Sequence, residues 1–139
     1  MKSEAAMMGP REIKRLMGRL ALERGRAGER HVLAACTLAA RPAWMRRVRA
    51  ATRDEDRHGI DVVIESDVGK LFVQVKSSLA GKEAFEARRR HARIVVVVVN
   101  AGCSLPRVLE QLVEVIEPVR GEYLQKRGQV VGEHGGLWR

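Results

Sequence analysis

The segment Ile94-Val95-Val96-Val97-Val98-Val99 is six aliphatic residues long with no polar interruption. A strand with one wet face alternates apolar and polar side chains, so an unbroken run of this kind suits a strand buried on both faces. That reading calls for a sheet flanked by helices. The run is far too short to cross a bilayer, which takes roughly 20 apolar residues, and so is the other apolar stretch, Val32 to Ala40. With 139 residues the chain is expected to form one domain with a core that needs no staples. Aromatic residues make up only 4%, so that core must rest on Val, Leu, Ile and Ala.

Two further segments read as strands by alternation. In Ile60 to Glu65, Ile60, Val62 and Ile64 share one face and Asp61, Val63 and Glu65 the other. In Leu71 to Lys76, Leu71, Val73 and Val75 oppose Phe72, Gln74 and Lys76. The short Ser66-Asp67-Val68-Gly69-Lys70 link makes the two a hairpin. A first strand is expected within Met45 to Thr52, followed by a charged turn, Asp54 to Gly59.

Helices are expected around these strands. Pro10 opens a basic amphipathic helix in which Ile13, Leu16, Met17 and Leu20 recur at helical spacing among Arg11, Lys14, Arg15 and Arg19. Gly25 and Gly28 predict a break, and Glu29 to Ala40 a second helix with Glu29 in its first turn. Lys82 to His91 fits a basic helix. Ser104 caps a last one, lined by Val108, Leu109, Leu112 and Ile116 and stopped by Pro118. The expected fold is therefore α/β, a single domain over 1–119 with a flexible glycine-rich tail over 120–139.

The net charge of +9, from 26 Lys and Arg against 17 Asp and Glu, favours a polyanionic partner, with nucleic acid first. A basic protein without such a partner is the plainer alternative. Cys36 and Cys103 stand sixty-seven positions apart, with no CxxC pair and no histidine at zinc spacing, so a structural zinc site is not expected. The amino terminus lacks an apolar signal core, and the chain reads as cytoplasmic with reduced thiols.

In a hairpin, Asp61 at the start of one strand and Gln74 and Lys76 at the end of the next come to the same end of the same face. Two accounts stand side by side: a solvated sheet face, or a site. Phosphodiester hydrolysis needs a hard cation with oxygen ligands to polarise the phosphate and acidify a water. Asp61 offers a carboxylate, Gln74 an amide oxygen and Val75 its backbone carbonyl, while Lys76 would orient the water or balance charge developing on the phosphate.

Gly59-Ile60-Asp61, twelve intervening residues and Gln74-Val75-Lys76 resemble the core motif of the PD-(D/E)xK nucleases, the restriction-endonuclease-like superfamily. The glutamine variant is similar to the branch holding type IV restriction enzymes and some resolvase-like proteins. The resemblance implies an αβββαβ core, a central mixed four-stranded sheet flanked by helices, over about 26–100. It implies Mg²⁺ or Mn²⁺ held by Asp61, Gln74, the Val75 carbonyl and a helix glutamate, for which Glu29 is the candidate. The alternative for Glu29 is macrodipole stabilisation of its helix. Two departures from the pattern stand out: Ile60 replaces proline, and Gln74 replaces a carboxylate, leaving one negative charge fewer at the metal.

Other polar residues have secondary claims. Glu65 lies on the Asp61 face at the far end of its strand, where a solvated role competes with that of a substitute carboxylate. Asp54 and Asp56 read as exposed ion-pair formers, His58 as a surface histidine or proton shuttle. Ser77 and Ser78 are expected to bond a phosphate or to cap the next segment, and Arg88, Arg89 and Arg90 to contact phosphates; such contacts position a duplex without reading its sequence. The expected function is a metal-dependent DNA endonuclease, working as a homodimer where both strands are cut. The alternatives are a non-catalytic nucleic-acid-binding or assembly module of the same fold, and a structural protein with a polar sheet face.

Overall fold

The computed structural model describes residues 8–88, 94–100 and 102–135. Strands β1 (Met45–Ala50), β2 (Val62–Ser66), β3 (Gly69–Lys76) and β4 (Ile94–Val98) lie side by side in chain order in one sheet. The β1–β2 and β2–β3 junctions are antiparallel and β3–β4 is parallel. A parallel junction needs a crossover, and helix α3 (Leu79–Arg88) provides it. Helices α1 (Pro10–Ala35) and α4 (Leu105–Gly135) flank the sheet, and a short helix α2 (Arg53–Arg57) sits between β1 and β2. The chain is thus mixed α/β with a four-stranded mixed sheet between helices.

The two faces of the sheet are covered unequally. Val62, Ile64, Leu71, Val73, Val75, Val95 and Val97 meet Val32, Ala35 and Cys36 at the end of α1 and Val108, Leu112 and Ile116 of α4 in the main core. On the other face Ile60, Val63 and Ile94 form a small cluster with Phe72 and with Phe85 of α3. Both faces of β4 are therefore dry, and Ile94 through Val97 are all buried, as the apolar run predicts. The solvated-face account of the hairpin fails over this stretch, because α3 covers it. Ile60 also departs from its expected side: β2 begins only at Val62, and Ile60, two residues ahead of the strand, turns to the α3 cluster.

Three other expectations are corrected. Gly25 and Gly28 lie inside one continuous α1, which ends at Ala35 rather than Ala40. A Cβ on Gly28 would come within 3.1 Å of Val75 Cγ1, so this glycine serves close approach of α1 to β3 rather than a break. Helix α4 runs through Pro118 to Gly135, and residues placed in a tail from 120 are helical that far. An internal proline costs a helix about 3 kcal/mol. Val119 and Tyr123 pack on the main core beyond it, and Arg120 forms a double hydrogen bond to Asp67 at 3.0 and 2.6 Å, holding the helix down past the proline. Finally, the charged turn contains α2, started by a capping box between Thr52 and Glu55. No helix among the described residues is long and apolar enough to cross a membrane.

Candidate metal centre

The β2–β3 ladder ends at the Val62–Val73 pair. Just before it, the Asp61 N–H still donates to Val73 O at 2.8 Å, but the next position is taken by a side chain: Asp61 Oδ2 accepts the Val75 N–H at 2.8 Å. A carboxylate thus stands where a backbone carbonyl would otherwise continue the sheet. Successive residues of a strand point their backbone groups to alternate edges, so the Val75 carbonyl faces the same gap as its N–H. Gly59 makes the approach to Asp61 with φ at +83°, and a Cβ there would sit 2.9 Å from the Phe85 ring. Both the backbone and the space demand glycine at this turn.

Asp61 is buried, and its carboxyl is pushed up to about 7. Burial is the main cause; the Val75 N–H works in the opposite direction, and Glu29 then raises it further by like charge and by sharing a hydrogen bond, with a smaller push from Asp56. Glu29 therefore meets Asp61, as expected, but from deep inside α1 and not from a first turn. The macrodipole account of Glu29 falls with that position, because the effect fades within one turn of the helix end.

Gln74 lies between the two residues whose backbones bond Asp61, and it is buried with no hydrogen-bond partner for its Oε1. That oxygen lies 3.7 Å from the position a Gly59 Cβ would take. An orphaned buried acceptor costs about 1–3 kcal/mol unless something supplies positive charge to it. Lys76 is half-buried, its amine 5.4 Å from the Phe85 ring centroid in a cation–π contact. Among the described residues no hydrogen bond or ion pair joins it to Asp61 or Glu29.

Two carboxylates, an amide oxygen without a donor and a strand-edge carbonyl form an all-oxygen set at one sheet end, which fits a hard divalent cation. It lacks soft ligands, and no group of three or more His, Cys, Asp or Glu gathers here or anywhere else among the described residues. The remaining candidates stand apart. Glu65 is half-exposed and 3.9 Å from exposed Arg47. Asp54 and Asp56 are exposed on α2, and His58 Nδ1 is tied to the Asp54 carbonyl at 2.8 Å. Arg88 ends α3, while Arg89 and Arg90 lie outside the described residues. Burial pushes the Cys36 thiol up to about 11, which suits a small core residue.

Sequence reasoning missed a cavity of about 480 Å³ beside this centre, where α1 passes the carboxyl ends of β3 and β4. Arg24, Gly28 and His31 line it from one stripe of α1, with Ser77, Ser78 and Asn100 from the loops that follow the strands. The available signal was the parallel β3–β4 pair, since open sheets gather ligands at the carboxyl ends of parallel strands. Ser78 also caps α3, its Oγ accepting the Gly81 N–H at 3.1 Å. Compared with family models, curated proteins and solved structures, the chain finds no match in any of the three.

Proposed function

We propose that this chain is a divalent-metal-dependent DNA nuclease with a restriction-endonuclease-like core, working through a D…QxK variant of the PD-(D/E)xK site. One observation carries the reading: the buried Asp61 carboxyl, pushed up by burial and by the neighbouring Glu29, sits at the same sheet end as an orphaned Gln74 oxygen. Both features have one physical remedy, a hard cation.

A bound Mg²⁺ or Mn²⁺ would supply polarisation of the scissile phosphate and a water acidic enough to attack it. The chain's own groups do the rest. Asp61 and Glu29 would present their carboxylates to the cation. Gln74 contributes an uncharged oxygen, so the site keeps less negative charge than a three-carboxylate set and repels phosphate less. Lys76, on a flexible stem, leaves the Phe85 ring to meet the phosphate or the attacking water. Arg24 and Ser77, at the mouth of the neighbouring cavity, hold the flanking phosphate.

Incubation with supercoiled, linear and branched DNA, with and without Mn²⁺, tests this. Metal-dependent cleavage that disappears in Asp61→Ala and Lys76→Ala is expected; cleavage unchanged in both would sink the proposal. A second reading has its own support, because Lys76 rests on Phe85 and Gln74 lacks a charge. Salt-sensitive DNA binding without cleavage in any metal would identify a binding module of the same fold.

A further inference from the structure

Among the described residues the first half of α1 is an exposed arm. From Gly9 to Arg24 every described side chain except Leu16 is exposed, including Ile13 at 45%, Met17 at 57% and Leu20 at 43%. These three and Leu16 make one stripe of the helix, with Lys14 to one side of it and Arg19 to the other. An amphipathic helix gains most of its stability by burying such a stripe, so an arm exposed along it is poised to dock.

Elsewhere on the molecule lies a groove with the opposite character. It measures about 750 Å³ and is floored by Pro42, Leu109 and Val113 between the end of α1 and the first turns of α4. Glu110, Glu114 and Glu117 line it at helical spacing along α4. An apolar floor with an acidic rim matches an apolar stripe with basic flanks.

The arm cannot reach the groove of its own chain. α1 is one continuous helix, the arm is at its start and the groove follows its end, so Met17 and Leu38 are separated by roughly 30 Å of rigid helix at 1.5 Å per residue. We propose that the arm, with Ile13, Met17 and Leu20 inward, docks in the α4 groove of a second copy, which returns its own arm. The exchange is a two-fold, self-complementary dimer. This assembly does not depend on the nuclease reading.

Sedimentation of the full chain over a range of concentrations tests it. The unaltered protein is expected to dimerise, and Ile13→Glu with Met17→Glu to weaken dimerisation at least a hundredfold while far-ultraviolet circular dichroism stays the same. A charge exchange gives the sharper readout. One variant carries Lys14→Glu and Arg19→Glu, the other Glu110→Lys and Glu114→Lys. Each alone sets like charges together and is expected to be monomeric; mixed, each arm finds an opposite groove and a one-to-one dimer returns. A monomeric unaltered chain, a dimer that survives Ile13→Glu and Met17→Glu, or a mixture that stays monomeric overturns the proposal.

Discussion

The two faces of the sheet differ in thickness and in what they hold. The face toward α1 and α4 is a deep aliphatic layer in which Val32, Ile64, Leu112 and Ile116 are fully buried. The face toward α3 has a three-residue buried cluster, Ile60, Val63 and Ile94, edged by half-buried Phe72 and Phe85, and the polar residues Asp61 and Gln74 lie at its margin. A deep layer supplies the free energy that holds the fold. A thin one leaves room for buried polar groups whose cost the deep layer offsets. The strained turn, the raised carboxyl and the orphaned oxygen all occur at the thin side's border, where strain and function tend to coincide.

The contrast is open to a direct attack. Leu112→Ala, in the deep layer, is expected to lower stability by about 2–5 kcal/mol in denaturant unfolding, whereas Phe85→Ala should cost roughly half as much or less, since Phe85 is only half-buried. Equal losses would show that the α3 side contributes as much as the main core. Next in size, Gly59→Ala should cost about 1–3 kcal/mol, because its φ is +83° and its Cβ would strike Phe85. Combining it with Phe85→Ala separates the causes: the part due to collision vanishes in the double variant and the backbone part remains.

Acidity probes the margin itself. Asp61 has its folded pKa raised to about 7, above its ordinary 3.8, so between these values the folded chain binds more protons than the unfolded one. Metal-free stability is therefore full below about pH 4 and falls as pH rises through about 7, by at most about 4 kcal/mol. Thermal unfolding at pH 5 and pH 8 should show that decline, and Asp61→Asn should flatten it. Mn²⁺ should raise the melting temperature more at pH 8 than at pH 5, because the proton it displaces is already gone. The smallest effect is expected from Gln74→Leu, which removes the orphaned oxygen: metal-free stability changes by less than about 1 kcal/mol, and the Mn²⁺ shift shrinks. A large metal-free loss would mean that Gln74 is a satisfied structural residue.

Much of the sheet was legible because strand alternation is a local property. The hairpin, the shared face of Asp61, Gln74 and Lys76, and the doubly buried Ile94 to Val97 all follow from residues a few positions apart. Local signals failed where packing outweighed them. Two glycines, each costing a helix about 1 kcal/mol, did not break α1, since Gly28 lets it lie on Val75. Pro118 did not stop α4, because Val119, Arg120 and Tyr123 find partners beyond it. The capping box of Thr52 and Glu55 is itself a local signal; Glu55 also accepts two hydrogen bonds from Arg49, at 2.7 and 3.1 Å.

By itself the sequence determined the strands, the faces of their residues from Val62 and Leu71 onward, and the basic character of the chain. These depend on period-two alternation and composition, which need no knowledge of distant contacts. Only the tertiary structure decided that Glu29 meets Asp61, that the buried Gln74 Oε1 has no hydrogen-bond partner among the described residues, that Lys76 rests on Phe85 and that Arg24 and His31 border a cavity with Ser77. Each of those depends on how α1 and α3 sit against the sheet. That placement is set by the sum of many buried aliphatic contacts and a close glycine approach, not by any motif along the chain.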